Sequence, residues 1–123
     1  MVKRSAKSRA KAKEYAELTG YVRQIRLARD ENKCVFCGST KQLQLMHLLS
    51  VGAHPRLRFD PFNTRIGCYA CHLGTRGWHK DSAPYWAKLP PGLLEQLEIM
   101  SRMAPKIDVA LLRIILQAEV AAL

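Results

Sequence analysis

The N-terminal quarter of the chain carries apolar residues at helical spacing. Between about residues 14 and 30 they recur every three or four positions: Tyr15, Leu18, Val22 and Ile25. One face of an α-helix presents such positions together, so the pattern predicts an amphipathic helix. Residues 1–13, before that helix, are almost entirely Lys, Arg, Ser and Ala with little to bury, which predicts a basic flexible arm.

The middle of the chain changes to shorter segments. Residues 42–48 begin with alternating polar and apolar side chains and predict a short strand that carries His47. Residues 50–62 contain one glycine and two prolines and predict a loop. A second short strand is predicted around residues 63–68, and a helix is predicted to begin near residues 69–71. Strand, loop, strand and helix around one site predict an α+β fold.

Two further helices are predicted over about residues 92–123. The first follows Pro90, Pro91 and Gly92, and the second covers about residues 107–123. The second helix is apolar around much of its circumference, and such a helix normally packs on several neighbours. Packing within the chain and a homodimer through the C-terminal helices are the two alternatives.

Two Cys-x-x-Cys pairs bracket the middle of the chain, Cys34 with Cys37 and Cys68 with Cys71. Four thiolates match a tetrahedral Zn²⁺ and leave no open coordination position, so this zinc is predicted to be structural. One alternative is a haem c attachment motif, because His72 follows the last cysteine directly. That motif needs an oxidising compartment and leaves the first pair without a role, so zinc is the better interpretation.

The charge balance indicates a class of partner. The 123 residues include 20 Lys and Arg against 10 Asp and Glu, which gives a net charge of +10. Such an excess favours polyanions, with nucleic acid first and an anionic membrane second. No apolar run approaches the roughly 20 residues of a membrane span. The basic N-terminus has no apolar segment of a secretory signal behind it. We therefore expect a cytoplasmic protein with one domain over residues 14–123 and a core over 34–81.

Basic residues are the candidates for DNA contact. Some recur along the first predicted helix, and the others surround the cysteine-bracketed core. The candidates are Arg23, Arg26, Arg56, Arg58, Arg65, Arg76 and Lys80. Each alone fits a solvated surface charge equally well, but the set predicts phosphate contacts, which supply affinity without sequence specificity. Trp78 and Trp86 are interpreted as core residues rather than base-stacking platforms.

Three polar residues within the cysteine frame carry a family resemblance. Asn63 lies 16 residues after His47, and His72 lies nine residues after Asn63. With both cysteine pairs, this pattern over residues 34–81 resembles the HNH, or ββα-metal (His-Me finger), nuclease family. The resemblance implies a small zinc-stapled ββα-metal core, here flanked by a basic N-terminal helix and two C-terminal helices.

The resemblance also implies a role for each position. His47 matches the general base that takes a proton from the attacking water. Asn63 matches the residue that holds the loop and orients that imidazole. His72 matches a ligand of a catalytic divalent cation, with Mg²⁺ or Mn²⁺ expected before Ni²⁺ or Zn²⁺. The implied reaction is hydrolysis of DNA phosphodiester bonds, with 5′-phosphate and 3′-hydroxyl products.

One position departs from the family pattern. Many members have His or Asp before the general base as a cation ligand, whereas this chain has Met46. A thioether is a poor ligand for Mg²⁺ or Mn²⁺. Either His72 acts with waters and phosphate oxygens, as in single-ligand members of the superfamily, or another residue supplies the missing ligand. His79 is the first candidate for that ligand, with Asp81 beside it and His54 as a weaker candidate. The departure leaves a second hypothesis open, a catalytically inactive zinc-ribbon protein that binds DNA or assists phage assembly.

The loop between the two predicted strands carries a finer resemblance. Residues 46–63 resemble the lambdoid phage NinG/Rap recombination endonucleases, which also lack an acidic or His residue before the base. This resemblance implies a phage-related protein of an infected bacterial cell that acts on duplex or branched DNA. RNA is a third hypothesis for the substrate, because net charge alone does not distinguish the two nucleic acids.

Overall fold

Five α-helices and one two-stranded antiparallel sheet make up the structure, a computed structural model that describes residues 5–123. In chain order the elements are α1 (Ala6–Arg29), β1 (Leu43–His47), β2 (Thr64–Cys68), α2 (Tyr69–His72), α3 (Ala83–Trp86), α4 (Leu93–Met103) and α5 (Val109–Ala121). The predicted α+β class, both strands and the helices at each end are confirmed. None of these helices is long and apolar enough to cross a membrane.

Helix α1 begins at Ala6, eight residues before its predicted start. Ser5 caps it, since the Ser5 hydroxyl accepts a hydrogen bond from a first-turn backbone N–H at 3.1 Å. The Ala, Lys and Arg residues that follow are strong helix formers, so they extend the helix although they bury little. Residues 6–13 are thus helical rather than a flexible arm, and residues 1–4 of the predicted arm lie outside the described part of the chain.

The two strands pair with His47 opposite Thr64, so the end of β1 lies beside the start of β2. Met46 is fully buried against β2, where a Cβ atom at Gly67 would overlap its thioether sulfur. Helix α2 follows β2 without a connecting loop and returns to β1, because the Tyr69 N–H donates to the Gln42 carbonyl at 2.9 Å. The sheet therefore brings β1, β2 and α2 together around one site.

Two apolar clusters hold the loop between the strands. One contains Met46, Trp78 and α4 residues such as Leu97, and the other joins α1 to α5. Leu57 of the loop is buried in the first cluster, and Phe59 is buried in the second. The loop is therefore anchored on both sides, although its only regular structure is two short 3₁₀ turns.

Helix α5 packs within the chain, against α1. Leu116 is buried in the cluster that joins the two helices, and Arg113 forms an ion pair with Glu17 at 3.0 Å. The exposed large apolar residues of α5 are Leu111, Ile114 and Ile115. Packing within the chain is thus present, and a homodimer through the C-terminal helices stays a prediction.

Candidate functional site

The four cysteines converge into one cluster, as the sequence predicts. Their sulfur atoms all lie within 4.8 Å of one another, and the Sγ atoms of Cys37 and Cys68 are 3.6 Å apart. Sulfurs around a tetrahedral Zn²⁺ at about 2.3 Å would be roughly 3.8 Å apart, whereas a disulfide needs about 2 Å. All four are free thiols. The spacing of Cys34, Cys37, Cys68 and Cys71 therefore fits a structural zinc.

A tight turn brings Cys34 and Cys37 together. The Gly38 N–H donates to the Cys34 carbonyl at 2.9 Å, and Gly38 has a φ of 78°, which glycine adopts without strain. The Val35 N–H donates to the Ile66 carbonyl at 3.0 Å and ties the turn to β2. Burial acts to raise the pKa of Cys34, but backbone hydrogen bonds to its sulfur outweigh burial and lower the pKa to about 7. Burial and the neighbouring cysteines raise the pKa of Cys71, so Cys34 is the thiol of these two that ionises first in the absence of a metal.

His47 lies at the end of β1, and only one of its two ring nitrogens makes a hydrogen bond within residues 5–123. Its Nε2–H donates to the Arg58 carbonyl oxygen at 2.9 Å, which leaves Nδ1 without a proton in the neutral ring. Nδ1 has no hydrogen-bond partner among residues 5–123. Burial lowers the pKa of His47, and the positive charge of Arg58 acts in the same direction, against the effect of the carbonyl. The ring is therefore neutral at pH 7, the form that a general base requires.

Asn63 is fully buried and fastens the chain that follows His47. Its Oδ1 accepts from the Leu49 N–H at 2.8 Å, and its Nδ2 donates to the Leu49 carbonyl at 3.0 Å. The Leu48 N–H donates to the Asn63 carbonyl at 2.8 Å. The amide therefore holds the loop, as the resemblance implies. The direct partner of the imidazole is the Arg58 carbonyl and not this amide.

His72 and His79 form an imidazole pair. The His72 Nδ1–H donates to the Gln44 Oε1 at 2.8 Å, and the Nε2 atoms of the two histidines are 3.0 Å apart. Two nitrogens at right angles on one divalent ion, each at about 2.1 Å, would also be about 3 Å apart. Burial, then the charges of His79 and His47, lowers the pKa of His72 and favours its neutral form. A neutral imidazole is the form that binds a metal.

A close crossing of the chain places His79 beside His72. The Trp78 N–H donates to the Cys71 carbonyl at 2.6 Å, and the His79 N–H donates to the His72 carbonyl at 3.2 Å. A Cβ atom at Gly77 would lie 2.9 Å from the His72 carbonyl oxygen, so glycine permits this approach. The segment after the second cysteine pair thus lies directly on α2.

The three histidines His47, His72 and His79 line one open cavity of about 450 Å³. Trp86 and Trp78 are also among the described residues that line it. Most of the Trp78 side chain is buried in the core. The other candidate ligands lie elsewhere: His54 bonds Ser101 of α4 at 2.7 Å, and Asp81 is not among the described residues that line the cavity. His79 is therefore the candidate that the fold brings to His72.

The cysteine cluster and the cavity histidines lie in a segment that matches a known family. The model of the bacteriophage lambda NinG protein family matches residues 2–82, which are 81 of the 123 residues. The chain belongs to the NinG family. No curated protein and no solved structure matches it. The matched segment of this phage-related protein contains α1, both strands, α2, all four cysteines and the three cavity histidines, whereas α3, α4 and α5 lie beyond it.

The basic residues of this NinG-family chain differ in exposure. Arg23, Arg56, Arg76 and Lys80 are exposed, and Arg58 and Arg65 are partly buried. Arg26 is buried and pairs with Asp30, whose carboxylate also accepts the Ile66 N–H at 2.8 Å. The prediction of DNA contact is wrong for Arg26, because its guanidinium is buried against the Asp30 carboxylate, and that carboxylate joins α1 to β2. Arg65 is partly engaged too, since its Nη1 donates to two backbone carbonyls at 2.6 and 2.9 Å.

Two groups of the site are absent from the sequence prediction, Gln44 and the Arg58 carbonyl. A polar residue within a short apolar strand is a weak signal for Gln44. The Arg58 carbonyl leaves no signal, because every residue has a backbone carbonyl and only the folded loop aims this one at His47.

A second depression has a different character. An apolar groove of about 310 Å³ lies between the loop around Leu57 and helix α5. None of the described residues that line it is a histidine or a cysteine. The imidazoles that could act as a base or bind a metal therefore line the histidine cavity and not this groove.

Proposed function

We propose that this NinG-family protein is a metal-dependent HNH endonuclease that hydrolyses DNA phosphodiester bonds. One observation carries the proposal. A single cavity contains a neutral imidazole with an unprotonated Nδ1 and two further imidazole Nε2 atoms 3.0 Å apart. A base beside a cation site is what the activation of water next to a phosphate requires. In this proposal β1, β2 and α2 form the ββα-metal core.

His47 is the general base. Its Nδ1 accepts the proton of the attacking water, and the Arg58 carbonyl stabilises the resulting imidazolium through the Nε2–H that it already accepts. Asn63 keeps the chain after His47 in place through its two bonds to Leu49. A base that keeps its orientation loses no activity to rotation of the ring.

His72 and His79 would hold the catalytic cation, with Gln44 fixing the tautomer of His72. Two imidazole nitrogens suit Mn²⁺, Ni²⁺ or Zn²⁺ better than Mg²⁺, which prefers oxygen ligands. When bound, the cation would offset the charge that develops on the scissile phosphate and the leaving 3′ oxygen.

The proposed substrate is DNA, and the NinG family makes branched recombination intermediates the first form to test. The net charge of +10 supports binding of a polyanion. Of the predicted phosphate-contacting residues, Arg76 and Lys80 are exposed in the segment that carries His79. Cleavage of DNA in preference to RNA is part of the proposal and is tested with matched hairpins.

A nicking assay tests the activity. Supercoiled plasmid, a linear duplex and a synthetic four-way junction would be incubated with the protein and Mg²⁺, Mn²⁺, Ni²⁺ or EDTA. We expect cation-dependent cutting, strongest with Mn²⁺ or Ni²⁺ and with the junction. His47→Ala should lower the cleavage rate by about 10²–10⁴-fold, the usual contribution of a general base.

His54→Ala is the matched control for that assay. It removes an imidazole that bonds Ser101 outside the cavity, so it should leave the cleavage rate within about twofold of wild type if the fold is kept. Equal losses in both variants would contradict the role of His47. No cutting with any cation, despite tight DNA binding, would contradict the nuclease proposal itself.

Met46 supports a second candidate function, a catalytically inactive zinc protein that binds DNA. The side chain before the proposed base is fully buried in the core, so it offers no ligand to the cavity. A site with only the His72–His79 pair for a cation would bind it weakly. In this alternative His47→Ala leaves DNA binding intact and there is no cleavage to lose.

Exposed lysines on α1 are expected to contribute to DNA binding. Lys7 and Lys11 lie one turn apart, and the Lys11 ammonium is 5.3 Å from the centre of the Tyr15 ring. Replacing both lysines with glutamine should reduce the slope of log Kd against log salt by about two, since each phosphate contact contributes about 0.9. Fluorescence anisotropy over a salt series measures this slope.

Arg102→Gln combined with Lys106→Gln is the charge-matched control, at the junction between α4 and α5. That variant removes the same charge and should change the slope of log Kd against log salt by less than the Lys7 and Lys11 double variant does. Equal slopes of log Kd against log salt in the two double variants would mean that the α1 lysines act through the net charge of the protein and do not contact phosphates.

A further inference from the structure

The peptide group that holds the His47 ring is flanked by two side chains that contact one residue of α1. The Arg58 carbonyl belongs to the peptide bond between Arg58 and Phe59. The guanidinium carbon of Arg58 lies 4.9 Å from the centre of the Tyr15 ring, within range of a cation–π contact. Phe59 meets the same ring edge to face, with centroids 4.9 Å apart and an interplanar angle of 85°.

These contacts fix the positions of the two residues that flank the carbonyl. Displacement of the Arg58–Phe59 segment relative to α1 would need both side chains to leave the Tyr15 ring, and Phe59 is only 2% exposed. The guanidinium also lies 5.5 Å from the Phe59 ring, so Tyr15, Arg58 and Phe59 form one stack. The partner of His47 is a backbone oxygen. The position of that oxygen therefore depends on how the Arg58 and Phe59 side chains are held against Tyr15.

Helix α1 lies outside the strand, loop, strand and helix unit that carries the cysteines and histidines. It nevertheless reaches the cavity through this stack, since Tyr15 contacts the residue whose carbonyl accepts the His47 Nε2–H. Tyr15 itself packs on the cluster that joins α1 to α5, which gives the stack a rigid base. The side-chain hydroxyl of Tyr15 makes no hydrogen bond within residues 5–123, so its ring is the part that acts.

We infer that Tyr15 is a positioning residue for the general base, through the Arg58–Phe59 peptide. The inference rests on the proposed function, in which His47 acts through Nδ1. Tyr15 keeps the proton on Nε2 and the lone pair of Nδ1 directed into the cavity. Without the ring, the carbonyl shifts, and His47 exchanges between its two tautomers.

The test compares Tyr15→Leu with Tyr15→Phe and uses Tyr21→Leu as the matched control. Phenylalanine keeps the ring that stacks on Arg58 and Phe59, whereas leucine removes it. Tyr21 lies on the same helix and packs on the same cluster, but its hydroxyl bonds Glu17 and Gln117. Nitrogen-15 NMR shifts of the His47 ring report its tautomer whether or not the protein cleaves DNA. Cleavage kinetics on the four-way junction give kcat and KM.

In wild type, Tyr15→Phe and Tyr21→Leu we expect His47 to be the Nε2–H tautomer. In Tyr15→Leu we expect averaged ring shifts and a kcat lowered by about 10–100-fold with KM within about twofold, since displacement by about 1 Å can cost 10²-fold. Should the leucine variant fail to fold, Tyr15→Met has about the same volume but a longer, more adaptable side chain and is used with the same expectations.

Wild-type ring shifts in a folded Tyr15→Leu or Tyr15→Met variant would overturn the inference. Averaged shifts in Tyr21→Leu as well would overturn it too, because the effect would then follow from general loosening of α1. If the wild-type protein cleaves nothing, the proposed catalysis fails, and the NMR comparison still decides whether Tyr15 positions the ring.

Discussion

Cys34→Ser and Cys71→Ser are each expected to abolish the cooperative thermal transition of the protein. Zinc would tie the Cys34–Cys37 turn, β2 and the start of α2 together, and structural zinc sites contribute apparent binding free energies of about 10–16 kcal/mol. Domains of this size have total unfolding free energies of about 5–15 kcal/mol, so loss of the site removes most of the stability. Far-UV circular dichroism during heating, with zinc per chain measured by mass spectrometry, checks the result.

Ser39→Ala is the control for the cysteine variants. It changes the same turn but keeps the Ser39 backbone carbonyl that accepts the Cys34 N–H at 2.8 Å. It should retain one zinc per chain and melt within a few degrees of wild type. A normal melting curve for Cys34→Ser or Cys71→Ser would refute the structural zinc, as would wild-type protein that contains no zinc and does not change on addition of a chelator.

The elements that the sequence predicts well are those with local signals. The strand predicted over residues 42–48 is β1 at Leu43–His47, because its side chains alternate and a glycine-containing loop follows. The paired cysteine spacing predicts the zinc cluster for a similar reason, since each Cys-x-x-Cys turn is local and the metal chemistry supplies the long-range pairing.

The prediction fails where long-range contacts decide the outcome. Arg26 has the spacing of an exposed basic stripe, but the fold buries it with Asp30 against β2. The early start of α1 has a local cause, the Ser5 cap, that apolar periodicity does not register. The Arg58 carbonyl and the Tyr15 contact depend on loop 48–63 docking on α1, across more than 40 residues of sequence. No local pattern encodes that docking.

His72→Ala is expected to abolish cleavage while the cysteine-bound zinc is retained. The imidazole would be the more buried of the two cation ligands and is the one that Gln44 orients at 2.8 Å. A catalytic cation contributes several kcal/mol at the phosphate. At 1.36 kcal/mol per tenfold, its loss lowers the rate by about 10³-fold. Single-turnover nicking rates, with zinc per chain measured on the same preparation, check both parts of the expectation.

His79→Ala separates the roles of the two imidazoles. His79 is exposed and bonds no described side chain other than His72, so its loss should leave the site formed but weaker. We expect the Mn²⁺ concentration for half-maximal cleavage to rise about tenfold or more, with much of the activity recovered at saturating Mn²⁺. The activity of His72→Ala should not recover at any Mn²⁺ concentration.

Loss of the structural zinc in His72→Ala would mean that the two ligand sets are misassigned. An unchanged Mn²⁺ dependence in His79→Ala would mean that His72 binds the cation without it, and that the short Nε2 separation is only a hydrogen bond.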